Sequence, residues 1–385
     1  MSKIAPFKIA MSAPMVGETE VANVVEALRK NELIFGSYLK EFEEKIANYC
    51  GVEHAIAVSS GTSALHVALR AVGVEAGDEV IVPTLTFIAP ANAVTYMGAT
   101  PHFLGCDRHW QMDPLKLRSL ILGKCKEKDG FLYNKETGRK ISALIAVHYL
   151  GHPCDIDSIR EELEGFKVAI VEDSAQGLGA KLRGRPAGSL GDIACMSFFP
   201  NKLITAAGGG MVLTQDADVA KKVRYWINQA KDDALTTSHH EIGYNYRLSN
   251  LQAAVGTAQV DQVPSRIERK TEIYRFYEST FAKVAGIDMQ PQNPDVESAF
   301  WMSCIEIDEK VFGESAAVVV QRLRDAGIEA HPAYEPLHLS PAHAGAPSFD
   351  CASSEELVRR SICLPCSYVM TDEEQTFVVN TVLNR

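Results

Sequence analysis

The sequence predicts an α/β fold, a mostly parallel central sheet covered by helices on both faces, with a smaller C-terminal α+β domain. Three observations carry this expectation. Between Ala55 and Thr214, short β-rich runs alternate with helical stretches, the pattern left by strand–helix–strand crossovers. After Arg247 the chain turns helical through Ala282, and Pro291 and Pro294 then mark a loop before further short elements. The length, 385 residues, suits one large domain with an appendage. We place the division near Pro264, which gives a large domain over 1–262 and a small one over 263–385.

Each element has a local reason. Residues 21–30 and 38–49 are helical in pattern, the second with Leu39, Phe42, Ile46 and Tyr49 at three- and four-residue steps. Strands are expected at 55–58, 80–82, 102–104, 143–147, 168–171, 194–199 and 211–214, with helices at 63–72 and 88–97 among them. Residues 124–140, KCKEKDGFLYNKETGRK, are charged and read as a solvated surface hairpin with NKETG as its turn. One helical segment is expected over 250–282. Residues 300–307, 316–326, 355–360 and 372–383 supply two or three helices and some strand. Active sites of such sheets lie at the carboxyl ends of strands.

Composition excludes several classes. The hydrophobic fraction of 46% with 23% charged residues is that of a globular protein, so the chain is not disordered. A formal net charge of −11 argues against a nucleic-acid surface or attraction to acidic membranes. The longest window free of charged residues, 80–106, contains Pro83, Pro90 and Pro101 and is no membrane span. The opening residues, MSKIAPFKIAMSAPMVGETE, hold no apolar stretch long enough for a secretory signal. Nine thinly spread cysteines, an odd number, read as reduced thiols, and a cytoplasmic location is expected.

Three segments carry chemistry. In SSGTSALHVAL (59–69) a strand gives way to a helix whose first amides, at Gly61, Thr62 and Ser63, would face an anion such as phosphate; helix capping alone would also explain these residues. The segment matches neither a dinucleotide loop nor a nucleoside-triphosphate loop. In VAIVEDSAQGLG (168–179) an apolar strand ends in Glu172 and Asp173, which could bind a metal, act as acid or base, or cap a turn. No metal is expected, because no His or Asp follows at ligand spacing and the HxxxH of His148 and His152 crosses a turn at Gly151. In MSFFPNKLITAAGGGMVL (196–213) Lys202 follows an apolar strand and precedes three glycines, the space a flat ligand needs beside a reactive amine. A lysine in an apolar pocket has a lowered pKa and can condense with an aldehyde. The CxxC of Cys363 and Cys366 has no second pair and reads as packing.

Together these are a phosphate site, an acid for a pyridinium nitrogen and a lysine for an aldehyde, the parts that pyridoxal 5′-phosphate (PLP) requires. On SSGTSALHVAL, GDEVIVPTLTFIAPANAV, VEDSAQGLGA, GSLGDIACMSFFPNKLIT and GYNYRLSNLQAAVGTAQ, in order along the chain, the sequence resembles the DegT/DnrJ/EryC1/StrS sugar aminotransferases over essentially its whole length. The resemblance implies PLP-dependent transferase fold type I, like aspartate aminotransferase. It implies Lys202 as the lysine that carries the cofactor, Asp173 as partner of the ring nitrogen, and Gln176 as neighbour of the ring hydroxyl. Gly61, Thr62 and Ser197 would hold the phosphate and Phe87 would stack on the ring. Asn245 of GYNYR would reach the phosphate of the neighbouring subunit, so a homodimer with shared active sites is implied. Asn201, Arg247, His331 and His338 are the corresponding candidates for substrate contact. Plain core packing would also explain Phe87, and a local turn network Asn245 and Arg247.

Many members carry TTGEGG after the lysine, whereas this chain has TAAGGG, with Gly208 at the glutamate position. That variation, QAKDD (229–233), EIGYNYRLSN and the 124–140 hairpin resemble the branch that makes UDP-4-amino-4,6-dideoxy-N-acetylglucosamine on the way to bacillosamine and legionaminic acid. EAHPAYEPLHL departs from it, with His331 where that branch more often has arginine. The implied function is PLP/PMP ping-pong transfer of an amino group from L-glutamate to the C4 ketone of UDP-2-acetamido-2,6-dideoxy-hexos-4-ulose, in amino sugar and polysaccharide biosynthesis. Lys202 speaks against the sugar dehydratases of the family, which have histidine there. Two alternatives stay open: a PLP-binding regulatory or non-catalytic protein, and an aminotransferase for GDP-, dTDP- or 3-keto sugars.

Overall fold

The computed structural model describes residues 7–232 and 238–384, and counts below refer to these; of QAKDD, Asp233 lies outside the described residues. Helices α1 (Glu18–Arg29) and α2 (Ser37–Cys50) open the chain; the buried stripe of α2 is Tyr38, Phe42, Ile46 and Cys50, so of the expected face Phe42 and Ile46 are buried while Leu39 and Tyr49 flank it half-buried. Then strands and helices alternate: β1 (His54–Val58), α3 (Gly61–Ala71), β2 (Glu79–Pro83), α4 (Ala89–Tyr96), β3 (Thr100–Leu104) and α5 (Pro114–Lys124). They continue through β4 (Cys125–Lys128), β5 (Phe131–Asn134), β6 (Lys140–Val147), α6 (Ile156–Glu162) and β7 (Ala169–Asp173). A short hairpin, β8 (Lys181–Leu182) and β9 (Arg185–Pro186), precedes β10 (Ile193–Ser197), β11 (Gly210–Thr214) and α7 (Ala217–Ile227).

Among the described residues the main sheet has ten strands: eight in the order β1-β11-β10-β7-β6-β2-β3-β15, and β4 and β5 off that path, with β5 paired to β6; β15 (Ser348–Phe349) is donated by the C-terminal part. Only β11 runs against both its neighbours on that path, so β1, β10 and β7 all end at one edge of the sheet. β1 and β6 show the near-continuous apolar burial of strands covered on both faces.

Two expectations change. The hairpin turn within 124–140 is Asp129–Gly130, both with positive φ (56° and 81°), as a two-residue turn of type I′ demands; NKETG instead links β5 to β6. The segment therefore extends the main sheet, and buried Glu79 anchors it by accepting from Asn134 and Thr137. The helical segment after Ser249 divides into α8 (Asn250–Val260) and α9 (Val263–Phe281), because Pro264 has no N–H to donate and sits in the first turn of α9.

Beyond α9 come β12 (Ile287–Met289), β13 (Val296–Glu297), β14 (Ser303–Ile307), α10 (Glu309–Phe312), α11 (Ala316–Asp325), α12 (Ala352–Arg360), β16 (Ser361–Leu364) and α13 (Asp372–Val382). β12, β14 and β16 form a second, antiparallel sheet. Its core takes in Ile9 and Met11 from the N-terminal segment, which docks through Lys8 N–H to Gly327 O at 2.7 Å, and Trp110, Tyr149 and Trp301. No described helix is long and apolar enough to cross a membrane.

Candidate active site

The edge where β1, β10 and β7 end carries the chemistry. β1 leads through Ser59 and Ser60 into α3, and Ser60 caps that helix by accepting from Ser63 N–H at 3.0 Å. Ala64 N–H closes on Ser60 O. Capping is therefore real, and it spends the serine side chain on Ser63, so that the amides of Gly61 and Thr62 face the open cavity at the positive end of the helix. Gly61 is glycine for a steric reason: a Cβ there would sit 2.8 Å from Ser197 Cβ. On Gly210, paired with Ser197 and Val58, a Cβ would lie 2.6 Å from Gly61 N. The two glycines and Ser197 thus leave a cradle that side chains would fill.

The cavity over this cradle encloses about 680 Å³. Gly61, Thr62, Phe87, Asp173, Gln176, Ser197, Asn201 and Lys202 all line it, so eight of the twelve residues singled out in the sequence come together. Phe87 is 53% exposed, which excludes the core-packing reading, and its ring stands at the wall 5.8 Å from that of Tyr334. Gln176 accepts from Leu150 N–H at 2.6 Å, which orients its NH2 as the remaining donor.

Asp173, 5% exposed, closes β7 and accepts from Ala175 N–H at 2.9 Å. Burial pushes its carboxyl up, against the pull of that hydrogen bond and of Lys202. Glu172 beside it turns to the other face of the sheet, where it accepts from His148 Nε2 at 2.7 Å, Ser174 Oγ and the amides of Gly188, Leu190 and Gly191. Lys202 stands in the loop that follows β10, half-buried, with its amine 4.3 Å from the centre of the Trp301 ring. Burial lowers its pKa to about 8 although Asp173 draws it upward. The cavity thus offers an amine more readily freed of its proton than an ordinary lysine, a buried acid, and an anion cradle.

Four of the residues singled out in the sequence stand outside the cavity lining. Asn245 is exposed and accepts from Arg247 at 3.2 Å, the local turn contact considered above. Arg247 lies with its guanidinium 5.4 Å from the Phe35 ring. His331 stacks behind Tyr334 at 6.0 Å and bonds to Cys363, whose influence overcomes burial and pushes the imidazole up to about 9. His338 has both ring nitrogens engaged, by Thr84 at 2.7 Å and Glu355 at 3.1 Å. Conversely Trp301, Tyr334, Gln252 and Phe199 line the cavity without having been singled out. Gln252 and Phe199 fall inside segments quoted for the resemblance and Tyr334 inside the segment that departs from it, but nothing local distinguishes Trp301.

Gly208 has φ +136°, a conformation that a glutamate would adopt only under strain. All nine cysteines are buried and unpaired; Cys363 meets Cys304 Sγ at 2.9 Å across β14 and β16 rather than Cys366. Among the described residues no group of three or more His, Cys, Asp or Glu is arranged to hold a metal ion.

The sequence pattern of the DegT/DnrJ/EryC1/StrS aminotransferase family matches residues 14–383. The chain belongs to this family. A GDP-perosamine synthase of Caulobacter vibrioides is 35% identical over 95% of each chain. The UDP-N-acetyl-3-dehydro-α-D-glucosamine 3-aminotransferase of Acidithiobacillus ferrooxidans is 33% identical over 97% of this chain and 95% of its own. Among solved structures, the PLP form of Spr1654 from Streptococcus pneumoniae superposes with a TM-score of 0.84 at 25% identity, over 98% of this chain and 97% of that one. The fold is that of the family, consistent with PLP fold type I, and the family's aminotransferases depend on PLP. The cavity fits that cofactor: the glycine cradle suits its phosphate, the buried acid its ring nitrogen and the depressed lysine its aldehyde.

Proposed function

We propose that the protein transfers the amino group of L-glutamate to the C4 ketone of a UDP-linked 4-keto-6-deoxy sugar, with UDP-2-acetamido-2,6-dideoxy-hexos-4-ulose as acceptor. The observation that carries aminotransfer is the Lys202 amine and the buried Asp173 carboxylate on one cavity wall beside the Gly61–Gly210 cradle. The sugar rests on the resemblance at TAAGGG, EIGYNYRLSN and the 124–140 segment.

In this reading the amides of Gly61 and Thr62 and the hydroxyl of Ser197 bind the phosphate, Phe87 covers the ring, and the Gln176 NH2 donates to the ring oxygen. Asp173 Oδ holds a proton on the ring nitrogen. Bound there, PLP supplies an electron sink for the pair left when the donor Cα–H bond breaks. Lys202 Nζ would take the proton that the donor Cα releases and would return one to the sugar carbon in the second half of the reaction. Trp301 and Tyr334 wall the cavity and limit water around that amine. Asn245 of a second copy adds a donor to the phosphate, making each site the property of two chains. Its exposed position outside its own cavity supports that arrangement.

The 35% identity to a GDP-perosamine synthase favours a second reading, a GDP-linked acceptor. A panel of UDP-, GDP- and dTDP-linked 4-keto sugars with L-glutamate separates the two. Fastest transfer to the UDP sugar is expected; preference for the GDP sugar replaces the nucleotide, and 2-oxoglutarate formation with none of them overturns the reading.

A further inference from the structure

A second lysine, Lys270, is buried completely in the middle of α9 and takes no part in the chemistry above. Its ammonium donates to Cys366 O at 2.7 Å and Trp301 O at 3.1 Å, with Cys366 Sγ as third partner at 3.5 Å. All three N–H bonds are thereby occupied, by fixed carbonyls and a sulfur rather than a carboxylate. A buried amine is accommodated here because those acceptors are held in place around it.

The turn it grips is tightly constrained. Phe300 has φ +45°, rare for a bulky residue, and its ring stacks on Tyr274, one helical turn beyond Lys270, at 4.1 Å. On the other side Gly151 must be glycine, since a Cβ would meet Trp301 N at 2.7 Å. Cys366 Sγ also contacts Trp301 O, at 3.1 Å. The Trp301 side chain leaves this clamp in one direction: Nε1 donates to Asn201 O at 2.9 Å, and the ring stands 4.3 Å from Lys202 Nζ.

We propose that Lys270 is a positioning residue for Lys202, holding the Trp301 backbone so that the indole stays over the Lys202 amine and keeps water from it. The proposal rests on Lys202 being the reacting amine. Asp173 from β7 is the charged group acting on Lys202, and Trp301 contributes the apolar cover, so loosening Trp301 admits water and leaves Asp173 in place. Water around the amine favours its ammonium form.

The test is the pH profile of Lys202 labelling by reductive methylation, read by peptide mass in the full chain freed of cofactor. Half-labelling is expected near pH 8 in the wild type. Lys270→Met should move it up by about one pH unit, and Trp301→Leu should do the same, with no further movement in the double variant. A folded Lys270→Met protein with lowered Tm and an unmoved Lys202 profile shows a merely structural lysine and overturns the proposal. Should Lys270→Met fail to fold, Lys270→Gln, whose shorter side chain cannot keep both the Trp301 and Cys366 carbonyls, carries the same test, and an unmoved profile is again fatal. Borohydride mapping of the holoenzyme reports separately whether Lys202 carries the cofactor, so failure of the proposed function and failure of this inference are told apart.

Discussion

Glu172 and Asp173 are consecutive residues at the end of β7, yet Asp173 lines the cavity that holds Lys202 while Glu172 sits on the opposite face with five hydrogen-bond donors around it. A strand puts alternate side chains on opposite faces, so two adjacent carboxylates cannot share one role. His148 completes the division. Its Nδ1 accepts from Cys154 N–H at 3.0 Å, which assigns the proton to Nε2 and makes it the donor to Glu172.

Asp173→Asn is therefore expected to keep the fold and to slow the half-reaction with glutamate by ~100-fold or more, since a neutral amide no longer holds the ring-nitrogen proton. Glu172→Gln should behave in reverse. Placing an NH2 against amide donors costs about 3 kcal/mol of stability. Thermal unfolding and single-turnover rates measured on both variants check the pair; a slowed half-reaction with an intact fold in Glu172→Gln would exchange their roles.

Lys202 should be the residue labelled when the holoenzyme is reduced with borohydride and mapped. Its pKa of about 8, against 10.5 for an unconstrained lysine, also has a stability consequence. Between these values the unfolded chain binds more protons than the folded one, so the penalty is complete below about pH 8 and fades as pH rises to 10.5. Lys202→Met should accordingly stabilise the cofactor-free protein by about 1–3 kcal/mol at pH 7. The gain should vanish near pH 10.5. An equal gain at both pH values would assign it to packing.

Gly210→Ala forces a Cβ to within 2.6 Å of Gly61 N, Met196 O and Ser60 C, all backbone. Cofactor affinity should fall by ~10-fold or more as the cradle is pushed open. Gly123→Ala in α5, where nothing lies within 4 Å, is the control and should leave binding unchanged. Equilibrium dialysis of PLP against both proteins decides.

Asn245→Ala should weaken cofactor retention. If the residue serves the partner's site, mixing an inactive Asn245 variant with Lys202→Ala should restore activity, because one site of each hybrid dimer has both residues intact. With subunit exchange demonstrated by differential tagging, absence of recovered activity, or a fully active monomer, rules out the shared site.

Much of this was legible before folding. The strand–helix alternation, the Ser60 cap with Gly61 and Thr62 behind it, the carboxylates at the end of β7 and Lys202 beyond β10 are all set by residues within a few positions of one another. Local rules of helix capping, strand period and glycine freedom are enough to find them. The sheet turn at Asp129–Gly130 is equally local, but the more polar NKETG is the stronger turn signal by composition.

The order of the elements and the residue types waiting at the strand ends follow from the chain alone. Only the tertiary structure decided that Asp173 rather than Glu172 faces Lys202, because strand period says that the two point apart and not which side holds the cavity. It alone brought Trp301 from beyond α9 to 4.3 Å from Lys202 and placed His331 behind Tyr334. Trp301 lies about a hundred residues from Lys202, and the contact is made by a buried ammonium, a strained Phe300 and a glycine at 151, each set by packing in three dimensions that no local pattern encodes.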